Sequence, residues 1–236
     1  MKKLLSTTLL LVLLPVYAIS QTVDYYKSFA ENAGENSILY RGRAPVPYHF
    51  NFEGTQYVFD EIFRKGEVQY NGKRYYDVEM NLNSHLDELI IKIPGTISTV
   101  ILNKNFVKSF QFDGKSYVYY KNDLKDSPEE GYYQLLHAGK DTLLRRVKKR
   151  YVEEIPRHAT SGSLLRMFNT DVTYHLYSAG KWYVVKNRRD IMKVYPAERR
   201  IISRFIRESR LNFITDRENS IVQVVKFADQ NKQSVR

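Results

Sequence analysis

Up to about residue 195 the apolar positions come in short runs of aromatic and β-branched side chains, broken by Gly, Asn and Asp. That is the pattern of strands. One type of turn signature recurs between the runs: Asn71-Gly72-Lys73, Asp113-Gly114-Lys115, Ala138-Gly139-Lys140 and Ala179-Gly180-Lys181. Asn-Gly and Asp-Gly favour type I′ hairpin turns, because both central residues then need positive φ. A two-residue loop at Asn71-Gly72 sets Val68 opposite Tyr75. Alanine resists positive φ, so the Ala-Gly pairs predict a type I turn followed by a glycine bulge. The glycines are spaced by 42, 25 and 41 residues, which is too irregular for a solenoid or propeller and reads as recurring hairpins.

Further strands are predicted at Gln56 to Phe59, Leu89 to Ile93, Thr99 to Leu102 and Phe106 to Phe112. In the last of these, Phe106, Phe110 and Phe112 share a face by the period of two, with Lys108 interrupting it. Tyr151 to Ser163 reads as a loop, and Tyr25 to Asn36 as a short helix or an extended arm. At Pro196 the period changes. Ile201, Ile202, Phe205 and Ile206 form one stripe of an amphipathic helix, with Arg199, Arg200, Arg204 and Arg207 elsewhere around it. Thr215-Asp216-Arg217-Glu218 has the form of a capping box, and Ile221, Val222, Val225 and Ala228 follow as an apolar face; a last strand over Ser220 to Phe227 is the alternative. The predicted fold is α+β, mostly β: an antiparallel hairpin-rich sheet followed by a C-terminal helical pair packed on it, in one domain over residues 21–236 with the helical segment at 196–229.

The first residues add an address. Lys2 and Lys3 precede an apolar run from Leu4 to Pro15 and a short polar exit at Ser20 and Gln21, the form of a secretory signal peptide over residues 1–20. The run is shorter than the ~20 residues a membrane span needs. The expected localisation is export, to the periplasm or outer membrane or beyond. The chain has no cysteine, which removes disulfides, thiolate metal sites and cysteine nucleophiles, so stability has to come from a core.

Charge narrows the partners. The chain carries a net +11, and 35 basic against 26 acidic side chains, a net +9, remain once Lys2 and Lys3 are removed with the leader. Such an excess favours anionic partners, and for an exported chain those are envelope components and not nucleic acid. The densest basic run is Arg145-Arg146-Val147-Lys148-Lys149-Arg150. On a strand it puts cations on both faces, which predicts an exposed edge or a protruding hairpin arm. Lys186, Arg188 and Arg189 follow the fourth turn and extend that patch if the two hairpins are neighbours.

Catalytic signatures are absent from the sequence: it has no nucleophile elbow, no His-Glu-x-x-His and no phosphate loop. Neither a cofactor nor a metal is expected: His85-x-Asp87 would put two potential ligands on one strand face, but so short a match arises readily by chance. Glu129-Glu130 and Glu153-Glu154 read as solvated loop carboxylates.

The segments Ile38-Leu39-Tyr40-Arg41-Gly42, Gly66 to Tyr75, Leu86 to Ile91, Gly131-Tyr132-Tyr133 and Trp182 to Lys186, with the helical tail, resemble an uncharacterised family of secreted, β-rich envelope proteins common in Bacteroidota. The resemblance implies an envelope protein and no functional residues. Three functions are therefore weighed. The first is a non-enzymatic binding or accessory protein of the periplasm or outer membrane, at most peripheral to the membrane, meeting an anionic or protein partner through basic hairpins. The second is a carrier of lipid in a curved-sheet cavity, and the third a hydrolase of envelope glycan or peptide.

Overall fold

The computed structural model describes residues 37–121, 127–155 and 164–234. The leader at 1–20, the segment 25–36 and the loop residues 156–163 lie outside the described residues. The protein is mostly β, and its described residues form ten strands and three C-terminal helices. Its residues fall into two compact units.

The first unit comprises residues 37–47, Phe63–Asn81 and Leu89–Asp113. It holds β1 (Arg64–Tyr70), most of β2 (Lys73–Asn83) and β3 (Glu88–Lys92), then β4 (Thr99–Ile101) and β5 (Val107–Phe112), in the order β5-β1-β2-β3-β4. The β1–β2 turn is as predicted. Asn71 and Gly72 have φ of 48° and 76°, and Val68 faces Tyr75. Val68, Met80, Leu89 and Ile91 are completely buried. Phe110 and Phe112 are buried on β5, but Phe106 departs from the predicted stripe and is 49% exposed. The Asn103 side chain accepts from the Asn105 amide and caps a 3-10 turn over Lys104–Phe106, which removes Phe106 from the strand.

The second unit comprises Tyr48–Ile62, Leu82–Glu88 and the chain from Gly114 onward. Its strands are β6 (Lys115–Tyr120), β7 (Gly131–Ala138), β8 (Thr142–Glu154), β9 (Leu165–Ser178) and β10 (Lys181–Val184), in the order β10-β9-β8-β7-β6. Three predicted details are corrected in this unit. Gln56 to Phe59 is not a strand: the segment makes one isolated bridge, Tyr57 to Asn83, and no continuous ladder. Ala179 and Gly180 both take positive φ, 50° and 80°, in a two-residue turn closed by Ser178 and Lys181, because the primed turn matches strand twist strongly enough to carry an alanine. Tyr151 to Glu154, expected to be loop, continue β8 in register with β9.

The chain then turns helical: α1 (Arg188–Val194), α2 (Arg199–Glu208) and α3 (Arg217–Ser234). The helix predicted after Thr215 is therefore present, and the strand alternative is not. It begins at Arg217, with Glu218 turned toward the sheet to accept from Arg145 and from the Tyr174 hydroxyl. Ile202 and Ile206 of α2 and Ile221, Val224, Val225 and Ala228 of α3 share one core with Leu143, Tyr174 and Leu176 of the sheet. Ile201 stays 39% exposed, and Phe205 is half-buried against Phe227, with ring centroids 4.2 Å apart. The buried stripe of α2 is thus narrower than predicted, since Phe205 is only half-buried at the margin of that core, stacked on Phe227 of α3.

A carboxylate holds α3 to the β7–β8 loop. Asp229, 2% exposed, accepts from the amides of Lys140 and Asp141 and from His137 Nε2 at 3.0 Å. Asp141 in turn accepts from the buried Tyr195 hydroxyl at 2.7 Å, just past α1. Burial, followed by the hydrogen bond to that carboxylate, pushes the Tyr195 hydroxyl far above its ordinary pKa. Gly139 is required here, because a Cβ at that position would lie 2.0 Å from Asp229 Oδ2.

Candidate anion-binding site

The basic run singled out in the sequence is largely neutralised within the fold. Arg145 sits on a central strand, opposite Gln134 of β7 and Tyr174 of β9, and pairs with Glu218 at 2.8 Å. The expectation of an edge fails at this residue. From Arg146 onward the registered strand partner is β9 alone, but the other side of β8 is covered at Lys149, whose amide donates to the Ser84 carbonyl and whose carbonyl bonds to His85, so the run is not a free edge there.

Arg146 lies over the Tyr133 ring and donates to Glu129 and to the Glu130 carbonyl. Lys148 also reaches Glu129, at 3.6 Å, and Arg150 pairs with Asp171. Lys149 is buried. Its ammonium donates to Thr170 Oγ1, and desolvation lowers its pKa. Glu129 and Glu153 are exposed, as expected of solvated carboxylates, and each also pairs at the surface, Glu129 with Arg146 and Glu153 with Arg166 and the Tyr151 hydroxyl.

The same region joins two of the sequence motifs. Asp87 Oδ1 accepts from the Tyr132 amide, and a Cβ on Gly131 would meet both Asp87 and Arg146 within 2.8 Å, so the glycine is what allows the motifs to meet. His85 and Asp87 diverge. His85 Nδ1 bonds to the Lys149 carbonyl, whereas Asp87 serves β7. Among the described residues no group of three or more His, Asp or Glu is arranged to hold a metal ion.

His175 packs edge-on to Tyr133 and is half-buried. Desolvation and then the nearby Arg146 lower its pKa, with Glu129 opposing them. The unfolded chain then takes up a proton at a higher pH than the fold does, so stability falls as pH drops below the ordinary histidine value of about 6.5 toward the lowered one. We expect His175→Gln to flatten melting temperature against pH over that window. An unchanged slope would show that His175 is not the group responsible.

The unneutralised charge lies elsewhere. A groove of about 790 Å³ on α1 and α2 is lined by Arg188, Arg199, Arg200, Arg204, Arg207 and Arg210. No Asp or Glu lines it, and among the described residues none of the six has a carboxylate partner. All six are exposed. At 3.6 residues per turn, Arg199, Arg200, Arg204 and Arg207 fall within an arc of about 140° on α2, with Ile206 at its border and also in the lining. Asn187 starts α1 by accepting from the amides of Arg189 and Asp190, which presents Arg188 in the first turn.

Arg210 follows α2 in the left-handed region, at φ 51°, where the Leu211 amide donates to the Ile206 carbonyl and closes the helix. Glycine is the usual residue at this position, and an L-residue there costs about 1 kcal/mol.

Of the cations expected to bind anions, only Arg188 lines this groove. Lys186 and Arg189 are exposed outside its lining. The α2 arginines were visible in the sequence as the polar side of an amphipathic helix, and that side reads as an ordinary solvated face until α1 and Arg210 are placed beside it. Comparison with family models, with curated proteins and with solved structures returned no match to this chain.

Proposed function

We propose that this protein is an exported, non-enzymatic binding or accessory protein of the cell envelope whose partner is anionic, and that the contact is made by the arginine groove of α1 and α2. The supporting observation is the convergence of six arginines with no carboxylate in the lining. Like charges held together repel, and an anion removes that cost while accepting paired guanidinium hydrogen bonds. The basic residues of β8 are a weaker choice because Arg145, Arg146, Lys148 and Arg150 already have acidic partners. The envelope address rests on the leader-like opening of the sequence. A lipid carrier needs an apolar-lined cavity, and the arginine lining of this groove favours the anion reading over it.

The test is retention on immobilised heparin. At roughly physiological ionic strength, where exposed charges act over about 8 Å, the protein should be retained. The combined Arg200→Ala, Arg204→Ala, Arg207→Ala variant should run through. Lys148→Ala with Arg150→Ala should be retained like the parent. The reverse pattern would return binding to the β8 hairpin and refute the groove.

A further inference from the structure

We propose that the α1–α2 groove takes a ligand carrying two or more phosphate groups; this rests on the anion-binding reading above and specifies its chemistry. Three observations carry it. The first is charge. A phosphate monoester bears about −1.5 to −2 near neutral pH, so one phosphate leaves the six arginines of the groove with about four uncompensated charges, whereas three phosphates balance them.

The second is spacing. Arg199 and Arg207 are eight residues apart on one helix, about 12 Å along its axis, and Arg200 and Arg204 lie one turn apart between them. One phosphate cannot span that row. A chain of phosphates, or a ring bearing several, places one group on each pair of guanidiniums, whose planar forks match phosphate oxygens two at a time. The third is the chain's choice of Arg210 at a position of positive φ. A glycine would relieve the backbone there and remove a charge from the groove, and strain retained beside a concentrated charge points to use of the side chain. The volume, about 790 Å³, lies in the range of small-molecule sites, which suits a discrete phosphorylated group entering the groove. Ser203, between the arginine rows, adds a hydroxyl donor.

The experiment is calorimetric titration of the full-length protein with inorganic phosphate, pyrophosphate and tripolyphosphate at fixed ionic strength. Affinity should rise at least about tenfold with each added phosphate. Arg200→Ala, Arg204→Ala and Arg207→Ala should each weaken tripolyphosphate about tenfold, and Arg150→Ala should not. Equal affinity for the three probes, or an equal loss with Arg150→Ala, would overturn the proposal.

Polyglutamate serves as a phosphate-free control. Binding to it through the groove arginines without binding to tripolyphosphate would defeat the phosphate inference and leave the anion reading intact, whereas binding of neither would defeat both. Co-sedimentation with phosphatidylcholine vesicles, with and without a bisphosphorylated lipid, assigns the source. Groove-dependent capture of the bisphosphorylated vesicles places the phosphates on a lipid headgroup. Tripolyphosphate binding without capture places them on a soluble ligand.

Discussion

Replacing Asp229 with alanine should destabilise the protein by about 3 to 5 kcal/mol. The carboxylate is 2% exposed and accepts from two loop amides and from His137, so its removal leaves three donors short of an acceptor, the Asp141 amide among them in a buried position. A hydrogen bond to a charged group contributes about 1.5 to 3 kcal/mol, and an orphaned buried donor costs a similar amount. The losses do not add fully, because the β7–β8 loop relaxes once released.

Asp229→Asn should cost less. It keeps the shape and one acceptor oxygen but turns an amide group toward donors. Denaturant unfolding of the three proteins measures both differences. A shift below about 1 kcal/mol for the alanine variant would show that the loop stays bonded without Asp229. Gly139→Ala should mimic the defect from the other side, since its Cβ would occupy the space of the Asp229 carboxylate.

The second large effect lies in the helix–sheet core. Ile202 is completely buried among residues of α1, α3, β8 and β9, whereas Phe205, three residues on, is half-buried against Phe227. Ile202→Ala should therefore cost about 2 to 5 kcal/mol, the transfer of the lost methyl groups plus the cavity they leave. Phe205→Ala should cost less than the 3 to 5 kcal/mol of a fully buried phenylalanine, because solvent already reaches its ring and can fill the space. Ranking the two by melting midpoint decides the matter. If Phe205→Ala were the more damaging, the stacked Phe205–Phe227 pair, and not the sheet-facing stripe, would anchor α2.

How much of this was legible depended on whether the signal was local. Asn71-Gly72 specified both its turn and the Val68–Tyr75 pairing, because the φ values demanded by two residues set the register of the strands beside them. The stripe at Ile202 and Ile206 was legible because a period of 3.6 is written in the spacing itself, whereas the helix over Arg217–Ser234 was favoured over a strand by the cap-like start at Thr215 to Glu218. The Ala179-Gly180 turn was misjudged because alanine's local preference is worth only about a kilocalorie, less than strand twist demands of a two-residue loop.

The candidate site belongs to the other class. By itself the sequence determined a mostly β chain with helices at its end, a strong positive charge, no thiol chemistry and the positions of the hairpins, all consequences of composition or short-range geometry. Which cations remain available was decided only by the tertiary structure. Arg145 meets Glu218 across 73 positions of sequence, and Arg146 meets Glu129 across 17. The arginines of α2 gain Arg188 from another helix and Arg210 from a strained turn, and among the described residues no acid lines the groove with them. Charge compensation depends on which side chains lie within a few ångströms of one another, and folding brings those together from positions that no local pattern connects.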